Sequence, residues 1–322
     1  MVIAVVGLGS MGKRRIRLIK EMYPSYKLFG VDGREDRRLE VSNQFHIKCY
    51  EQLKDVNENV DCVFVCTSPL SHNAIISDAL NRGCNVFTEL NLVCDGYKEN
   101  IEMAKRNKLH LFLSSTFFYR EEIEYLRNKI TQDRKWNYIY HIGQYLPDWH
   151  PWESYKDFFL GDKRTNGCRE IMAIEFPWLV ETFGKVVNVK VMSDKMTDLH
   201  IDYNDNFILQ LKHEDGNKGC LIVDVVSPVA VRKLEVYGEN AYMTWNGTPE
   251  TLFEYNMETK QLERVKLKEE AEHIEGYRAF VVENAYKNEI REFFEVVLAG
   301  KQPLYGFEQD LEILKLIDSV GA

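Results

Sequence analysis

Val2-Ile3-Ala4-Val5-Val6-Gly7-Leu8-Gly9-Ser10-Met11-Gly12 is an apolar strand followed by a G-x-G-x-x-G turn. A basic amphipathic run that predicts a helix begins directly after it. In such a turn the first glycine permits the tight bend, the second lets the backbone approach a pyrophosphate, and the third lets helix and strand pack closely. The N–H groups at the start of the helix then face the anion. The segment predicts a dinucleotide site that includes Gly7, Gly9, Ser10, Met11 and Gly12.

An acidic residue follows at the offset that this turn requires. Asp32 comes twenty residues after Gly12, at the end of a second strand-like run over residues 28–31. A carboxylate there accepts hydrogen bonds from the adenosine ribose hydroxyls and repels a 2′-phosphate, which favours NAD over NADP. Arg34 could pair with such a phosphate if the loop turned it inward. The alternative for Arg34 is a solvated loop cation.

The bulk properties exclude several classes of function. The chain has 322 residues, enough for two domains, and a formal net charge of −9, which argues against nucleic acid or an anionic membrane as the main partner. No apolar run is long enough to span a bilayer and no signal peptide is recognisable, so we expect a cytoplasmic protein. The seven cysteines are scattered and form no C-x-x-C pair, so neither a metal site nor a disulfide framework is expected.

Strand and helix patterns alternate over the first third of the chain. The run at residues 60–66 is continuously apolar, as in a strand buried on both faces of a parallel sheet. Strands that alternate with helices predict βαβ units and a doubly wound sheet. We therefore assign residues 1–118 to a dinucleotide-binding α/β domain of the Rossmann type.

The pattern changes after about residue 120. A helix predicted over residues 169–183 is followed by several β-like runs joined by short turns, such as Glu214-Asp215-Gly216-Asn217, and the chain ends in two helices. This predicts a second, α+β domain over residues 119–322 with a large, open and mostly antiparallel sheet. Because an open sheet face commonly buries against a partner, a homo-oligomer is expected.

Several segments together resemble the glucose–fructose oxidoreductase/inositol dehydrogenase (Gfo/Idh/MocA) family. They are the glycine-rich turn, Asp61-Cys62-Val63-Phe64-Val65-Cys66-Thr67-Ser68-Pro69 with His72, Asn85-Val86-Phe87-Thr88-Glu89, and Glu289-Ile290-Arg291-Glu292-Phe293-Phe294 through Asp310. The resemblance implies a Rossmann domain, a second domain with an open sheet, and hydride transfer at a sugar or polyol carbon. It also places the turn formed by Thr67, Ser68 and Pro69 near the cofactor.

The chain departs from this family at both catalytic motifs. The family carries Glu-Lys-Pro where this chain has Glu89-Leu90-Asn91, and leucine cannot polarise the reacting hydroxyl as the lysine does. The family also carries an Asp and, four residues later, a proton-accepting His at a helix start in the second domain. Ile171 and Glu175 align with these positions, and an alignment shifted by one residue puts Glu170 at the Asp position.

Three residues are candidates for the proton transfer. Glu175 could act as the base if partial burial raised its pKa, and Glu170 lies near the same helical face. The alternative is that one of them caps the helix and the other forms a salt bridge. His150, the third, lies in the aromatic loop of residues 145–155 and has an unperturbed pKa close to neutrality. That loop suits a sugar ring, or it is an aromatic mini-core that anchors the domain.

Two further residues lie where the resemblance places the cofactor. His72 follows the turn after the apolar strand, at the sheet edge where ligands bind in open α/β folds. A helix-start residue with local hydrogen bonds is an equal alternative. Glu89 ends a strand at the same edge, and we expect it to contact the nicotinamide ribose or to shape the site.

Two functions are compatible with these features. The first is an NAD-dependent oxidoreductase acting on a sugar, amino sugar or sugar-nucleotide derivative, with a non-standard proton-transfer residue. The second is a dinucleotide-binding member that has lost its chemistry and has a sensing or assembly role. The intact cofactor motif and the aromatic loop favour the first, whereas the missing lysine and histidine favour the second.

Overall fold

The computed structural model describes residues 1–131, 133–149, 154–268, 271–272 and 281–322. The chain forms two compact units, one of residues 1–115 and 287–312, the other of residues 116–286 and 313–322. The chain first passes from one unit to the other after residue 115, close to the boundary expected after residue 118. Segment 287–312, in contrast, was expected in the second domain and packs with the first unit.

The N-terminal part of the first unit alternates strands and helices as the sequence predicts. Its elements are β1 (Val2–Val6), α1 (Ser10–Met22), β2 (Lys27–Val31), α2 (Glu35–Phe45), β3 (Lys48–Tyr50), β4 (Cys62–Val65), α3 (His72–Asn81), β5 (Asn85–Thr88), α4 (Tyr97–Asn107) and β6 (Leu111–Leu113). Short 3₁₀ turns lie at Leu53–Asp55 and Pro69–Ser71. All six strands are parallel, in the order β3-β2-β1-β4-β5-β6. The order reverses between β1 and β4, and a ligand crevice forms at such a point in doubly wound sheets.

The second unit is built on one eight-stranded sheet. Its elements are α5 (Glu121–Lys129), β7 (Trp136–Gly143), α6 (Gly167–Phe183), β8 (Val186–Asp194), β9 (Asn206–His213), β10 (Lys218–Asp224), β11 (Val231–Gly238), β12 (Ala241–Trp245), β13 (Phe253–Asn256) and β14 (Gln261–Arg264). Short 3₁₀ turns lie at Thr116–Tyr119, Leu146–Asp148, Phe159–Gly161, Lys163–Thr165 and Pro249–Thr251. The strand order is β14-β13-β12-β11-β7-β10-β9-β8, and only the β7–β10 pair is parallel. The predicted fold class, α/β with a second, mostly antiparallel sheet, is confirmed.

The two faces of the second sheet differ in burial because side chains alternate along each strand. On the covered face, Tyr140 of β7 packs edge-on against Trp178 of α6, with ring centroids 5.6 Å apart. On the other face, Ile139 is 45% exposed although it lies on a central strand. This open face also carries Met192, Ile208 and Tyr237.

Two C-terminal helices, α7 (Glu283–Ala299) and α8 (Phe307–Ser319), complete the fold. Phe293 of α7 lies edge-on to three stacked rings, those of Phe64, Phe87 and Phe112, at centroid distances of 5.1 to 5.6 Å. These rings come from the neighbouring strands β4, β5 and β6 of the first sheet. The packing of one aromatic residue on three strands explains why segment 287–312 belongs to the first unit. No helix in the described ranges has both the length and the apolarity to cross a bilayer.

Candidate functional site

The candidate site of the first unit lies at the carboxyl ends of its parallel strands. Val31, Val6, Val65 and Thr88 are in register across β2, β1, β4 and β5. The residues that follow them, Asp32, Gly7, Cys66 and Glu89, therefore form a row along one sheet edge. This row spans the point where the strand order reverses.

The glycine-rich turn has the shape that a bound dinucleotide requires. Gly7 has φ +93°, and a Cβ there would lie 2.6 Å from the backbone of Cys66. A Cβ at Gly12 would lie 1.9 Å from the carbonyl oxygen of Gly7, so helix α1 and β1 are packed as closely as backbones allow. Beside Gly9, in contrast, only the tip of Arg37 comes within 4 Å of a Cβ position, at 3.8 Å. The two outer glycines are thus needed for packing, and the middle one leaves room for a phosphate.

The N-terminus of α1 has no side-chain cap. Its N-cap residue is Gly9, and Ser10 and Met11 occupy the first helical positions. The first N–H groups of a helix have no partner within the helix and carry the positive end of its dipole. They therefore suit the pyrophosphate of a dinucleotide. The sequence prediction for Ser10 and Met11 rests on this placement and stays a prediction.

Asp32 is fixed against the turn. Its Oδ2 atom accepts a hydrogen bond from the Leu8 N–H at 2.8 Å, and Oδ1 accepts one from the Arg34 N–H at 2.9 Å. The guanidinium group of Arg37 lies 3.7 Å from Oδ2. Arg34 itself forms an exposed ion pair with Asp36 at 2.5 Å. In this geometry Arg34 has a carboxylate partner, and Asp32 lies beside the expected ribose position.

His72 is buried within the turn that follows β4. Its Nε2 lies 2.9 Å from the carbonyl oxygen of Thr67, and its Nδ1 lies 2.6 Å from Oδ1 of Asn91. The Thr67 hydroxyl in turn accepts a hydrogen bond from Ser71 at 2.8 Å. Burial lowers the pKa of His72. These contacts match the local, structural alternative that the sequence left open, and Ser68 and Pro69 complete the same turn.

Glu89 takes part in a buried charge network that the sequence did not predict. Arg15 of α1 donates hydrogen bonds to the Glu89 carboxylate from Nε at 2.6 Å and from Nη2 at 3.2 Å. Its Nη2 also donates to Glu289 of α7 at 2.6 Å. Glu289 accepts further hydrogen bonds from the Ser114 hydroxyl and the Ser115 N–H. Burial lowers the pKa of Arg15, but the two carboxylates outweigh this effect and raise it. Glu89 therefore has a fixed orientation at the sheet edge.

In the second unit, Glu175 is a fully buried residue of α6. Its Oε2 accepts hydrogen bonds from the Tyr140 hydroxyl at 2.8 Å and the Trp178 indole at 2.7 Å. Its Oε1 lies 2.8 Å from the guanidinium of Arg232 on β11, as an ion pair without a well-aligned hydrogen bond. Burial lowers the pKa of Arg232, but Glu175 and Tyr140 outweigh it and raise it. Glu175 and Arg232 therefore form a buried ion pair.

Glu170 has a different environment one and a half turns earlier on α6. The helix begins at an N-cap, Asn166, whose Oδ1 accepts from the Arg169 N–H at 2.8 Å. The Glu170 side chain is partly exposed as a whole, but its Oε2 atom is buried and has no hydrogen-bond partner among the described residues. Burial raises the pKa of this carboxyl group to about 7. The cap of this helix is Asn166, so the alternative that Glu170 caps it is wrong.

The aromatic loop is described only in part. Trp149 donates from its indole to the carbonyl of Gln144 at 3.0 Å, and its ring lies 3.8 Å from the Cβ position of Gly167. The loop is thereby anchored at the first turn of α6. His150 and Trp152 lie outside the described residues. Within the described ranges, no group of three or more His, Cys, Asp or Glu side chains is placed to hold a metal ion.

Comparison with known proteins identifies the first unit. Residues 1–114 match the model of an oxidoreductase family, GFO_IDH_MocA, described as an NAD-binding Rossmann fold. No curated protein matches the chain by sequence.

Three solved structures illustrate what the whole chain is similar to. UDP-N-acetylglucosamine 3-dehydrogenase GnnA from Acidithiobacillus ferrooxidans has 16% identity and a TM-score of 0.77, over 99% of this chain and 96% of that one. Myo-inositol 2-dehydrogenase from Lactobacillus plantarum has 19% identity and a TM-score of 0.76, over 100% and 96%. GenD2 from gentamicin A biosynthesis, in complex with NAD, has 17% identity and a TM-score of 0.79, over 100% and 93%. At such identities the likeness shows the fold.

Proposed function

We propose that this chain is an NAD-dependent oxidoreductase, because residues 1–114 match the model of the GFO_IDH_MocA oxidoreductase family, an NAD-binding Rossmann fold. Its substrate in this proposal is a sugar, amino sugar or sugar-nucleotide derivative. The dehydrogenases of similar fold that act on UDP-N-acetylglucosamine and myo-inositol support that class. NAD supplies a hydride acceptor when bound, and the protein supplies the proton transfer and the orientation of the substrate.

The contact between Leu8 and Asp32 is the observation that favours NAD over NADP as the cofactor. The hydrogen bond from the Leu8 N–H holds the Asp32 carboxylate beside the glycine-rich turn. A carboxylate in that place binds the ribose diol of NAD and repels the 2′-phosphate of NADP. Arg34, the cation nearest to Asp32 in sequence, is paired with Asp36. NAD has no 2′-phosphate, so this proposal requires no cation for one.

The second unit supplies substrate binding and the proton transfer in this proposal. Glu175, Glu170 and His150 are the candidates for the proton-transfer group, and the aromatic loop around Trp149 offers a flat surface to a sugar ring. The open sheet face with Ile139 forms a homo-oligomer, and the cytoplasm is the proposed compartment.

A dinucleotide-binding protein without catalysis is the second candidate. Leu90 cannot replace the lysine of the family motif, and Glu175, at the histidine position, is ion-paired with Arg232. Both observations favour this alternative, in which the bound dinucleotide serves sensing or assembly.

Titration of the protein with NADH and NADPH, followed by tryptophan fluorescence, tests the proposal first. Micromolar binding of NADH with much weaker binding of NADPH is the expected result. Turnover is then measured with NAD⁺ and, separately, myo-inositol and UDP-N-acetylglucosamine as probes. Failure to bind either reduced cofactor would overturn the proposal, and binding without turnover of any sugar or polyol would favour the non-catalytic alternative.

A further inference from the structure

The two carboxyl groups near the start of α6 differ in how firmly their charge is fixed. Glu175 has a cation and two neutral donors around it, and its side chain has no exposed surface. Protonation of Glu175 would leave the buried guanidinium of Arg232 without its partner, which is a strongly unfavourable state. Glu175 is therefore committed as the partner of Arg232 and is poorly placed to act as the proton acceptor.

Glu170 combines burial with the absence of any stabilising donor. Its Oε2 atom has no hydrogen-bond partner in the described part of the chain, and burial is the one cause that raises the pKa of this group there. The neighbouring cation Arg169 turns away and contacts Asp318 and the carbonyl of Ala322, each at 2.7 Å. A native protein rarely leaves a buried polar atom unsatisfied unless the atom has another role.

The first turn of α6, which precedes Glu170, packs against the aromatic loop. Gly167, one turn earlier on α6, lies against the ring of Trp149. An aromatic face can pack against the C–H groups of a sugar ring while an acid contacts a hydroxyl at its edge. General acid–base catalysis is most effective when the group changes protonation state near the working pH, which a carboxyl group ionised by a salt bridge does not do.

We propose that Glu170 is the proton-transfer group of the second unit and that Glu175 is a positioning residue that holds Arg232. The inference rests on the proposed oxidoreductase function. In the oxidation of an alcohol, the hydroxyl proton would pass to the Glu170 carboxylate and the O–H electron pair would form the carbonyl bond. Bound NAD⁺ would supply the acceptor for the carbon-bound hydrogen and its electron pair. In the reverse direction, protonated Glu170 returns the proton to the new hydroxyl oxygen.

A carboxyl titration tests the charge state of Glu170 without any substrate. In protein with carbon-13-labelled glutamate side chains, one signal should titrate near neutral pH. It should vanish in Glu170→Gln and persist in Glu175→Gln and in Glu181→Gln, an exposed control on the same helix. Persistence of the signal in Glu170→Gln, or the absence of any such signal in the parent protein, would overturn the inference.

Kinetics and cofactor binding separate this inference from the proposed function. Glu170→Gln should lower kcat by about 10²- to 10⁴-fold on whichever of myo-inositol and UDP-N-acetylglucosamine the parent protein oxidises. The neutral-pH limb of the kcat profile should disappear, and the NADH dissociation constant should change less than about twofold. If Glu170→Gln had the kcat of the parent protein and bound NADH normally, the role of Glu170 would be contradicted, but the proposed function would not. If the parent protein did not bind NADH, the proposed function itself would be contradicted.

Discussion

Arg15 donates two hydrogen bonds to Glu89 from a side chain that has no exposed surface. Two carboxylates share this one cation, because Glu289 lies 2.6 Å from the same guanidinium group. Three segments that are distant in sequence, α1, the end of β5 and α7, are joined at the edge where the cofactor is expected.

Arg15→Met should destabilise the first unit strongly. The substitution leaves two neighbouring carboxylates without a cation, and breaking a buried pair in this way costs about 3–5 kcal/mol. The defect, measured by urea unfolding, should shrink at acidic pH. Burial already raises the pKa of Glu289, and loss of Arg15 raises it further, so this group takes up a proton more readily. Arg82→Met, which removes an exposed pair with Asp78, should change stability by less than about 0.5 kcal/mol. Equal effects of the two variants would contradict the network.

The two glycines at positions 12 and 33 provide a matched pair of substitutions. A Cβ at Gly12 meets the carbonyl oxygen of Gly7 at 1.9 Å, and neither backbone can move without separating α1 from β1. Gly12→Ala should therefore cost more than about 3 kcal/mol and abolish NADH binding. Gly33 has no atom within 4 Å of its Cβ position, so Gly33→Ala should leave both properties nearly unchanged. The midpoint of thermal unfolding and NADH fluorescence titration are the measurements. Stable, NADH-binding Gly12→Ala protein would contradict the close packing.

The glycine turn was predictable because its signal is local. Strand, glycines, helix and Asp32 all lie within one βαβ unit, where each residue type is required by the backbone geometry. The strands were likewise predictable, since the apolar run at β4 and the alternation along β9 report burial directly. The structure confirms the predicted order of elements, and residues 1–114 match the model of the family that the chain resembles.

The buried charges were not predictable, because their partners are far apart in the chain. Arg15 and Glu289 are separated by 274 positions, and each is a charged residue at a buried position of its helix. A charged residue at a buried helix position indicates that it has a partner, but it does not indicate which residue the partner is. The same holds for Glu175 and Arg232. The placement of segment 287–312 depended on Phe293 meeting three rings, a fact of tertiary packing alone.

Asp32→Ala should reverse the preference between the two reduced cofactors. The carboxylate is expected to make charge-assisted hydrogen bonds to the ribose, each worth about 1.5–3 kcal/mol, so NADH affinity should fall about 10- to 100-fold. NADPH affinity should rise, because the negative charge that repels its 2′-phosphate is gone. Asp78→Ala, which removes an exposed acid of α3 that pairs with Arg82, serves as the control. Unchanged selectivity in Asp32→Ala would show that another residue sets it.

Ile139→Lys should convert the proposed oligomer into monomers. Ile139 is 45% exposed on a central strand of the second sheet, where a buried lysine ammonium would face the partner copy. Leu39→Lys places the same charge on α2 at a residue that is 57% exposed, and should not change the assembly. Sedimentation at several protein concentrations distinguishes the two. A parent protein that is monomeric throughout, or an Ile139→Lys variant that stays assembled, would refute an interface on this face.

Glu170→Gln should make the protein more stable at alkaline pH. Burial raises the pKa of Glu170 from 4.5 to about 7, so the folded state binds the proton more tightly than the unfolded state. This group therefore lowers stability progressively as the pH rises from about 4.5 to 7, and the full cost, about 3 kcal/mol, is present above that range. The glutamine variant should gain up to this amount at pH 8 and almost nothing at pH 4.5, as measured by urea unfolding. Glu181→Gln, an exposed change on the same helix, should show no such pH dependence. A Glu170→Gln variant no more stable than the parent at pH 8 would mean that the carboxylate is well solvated, and its role as a buried proton-transfer group would fail with it.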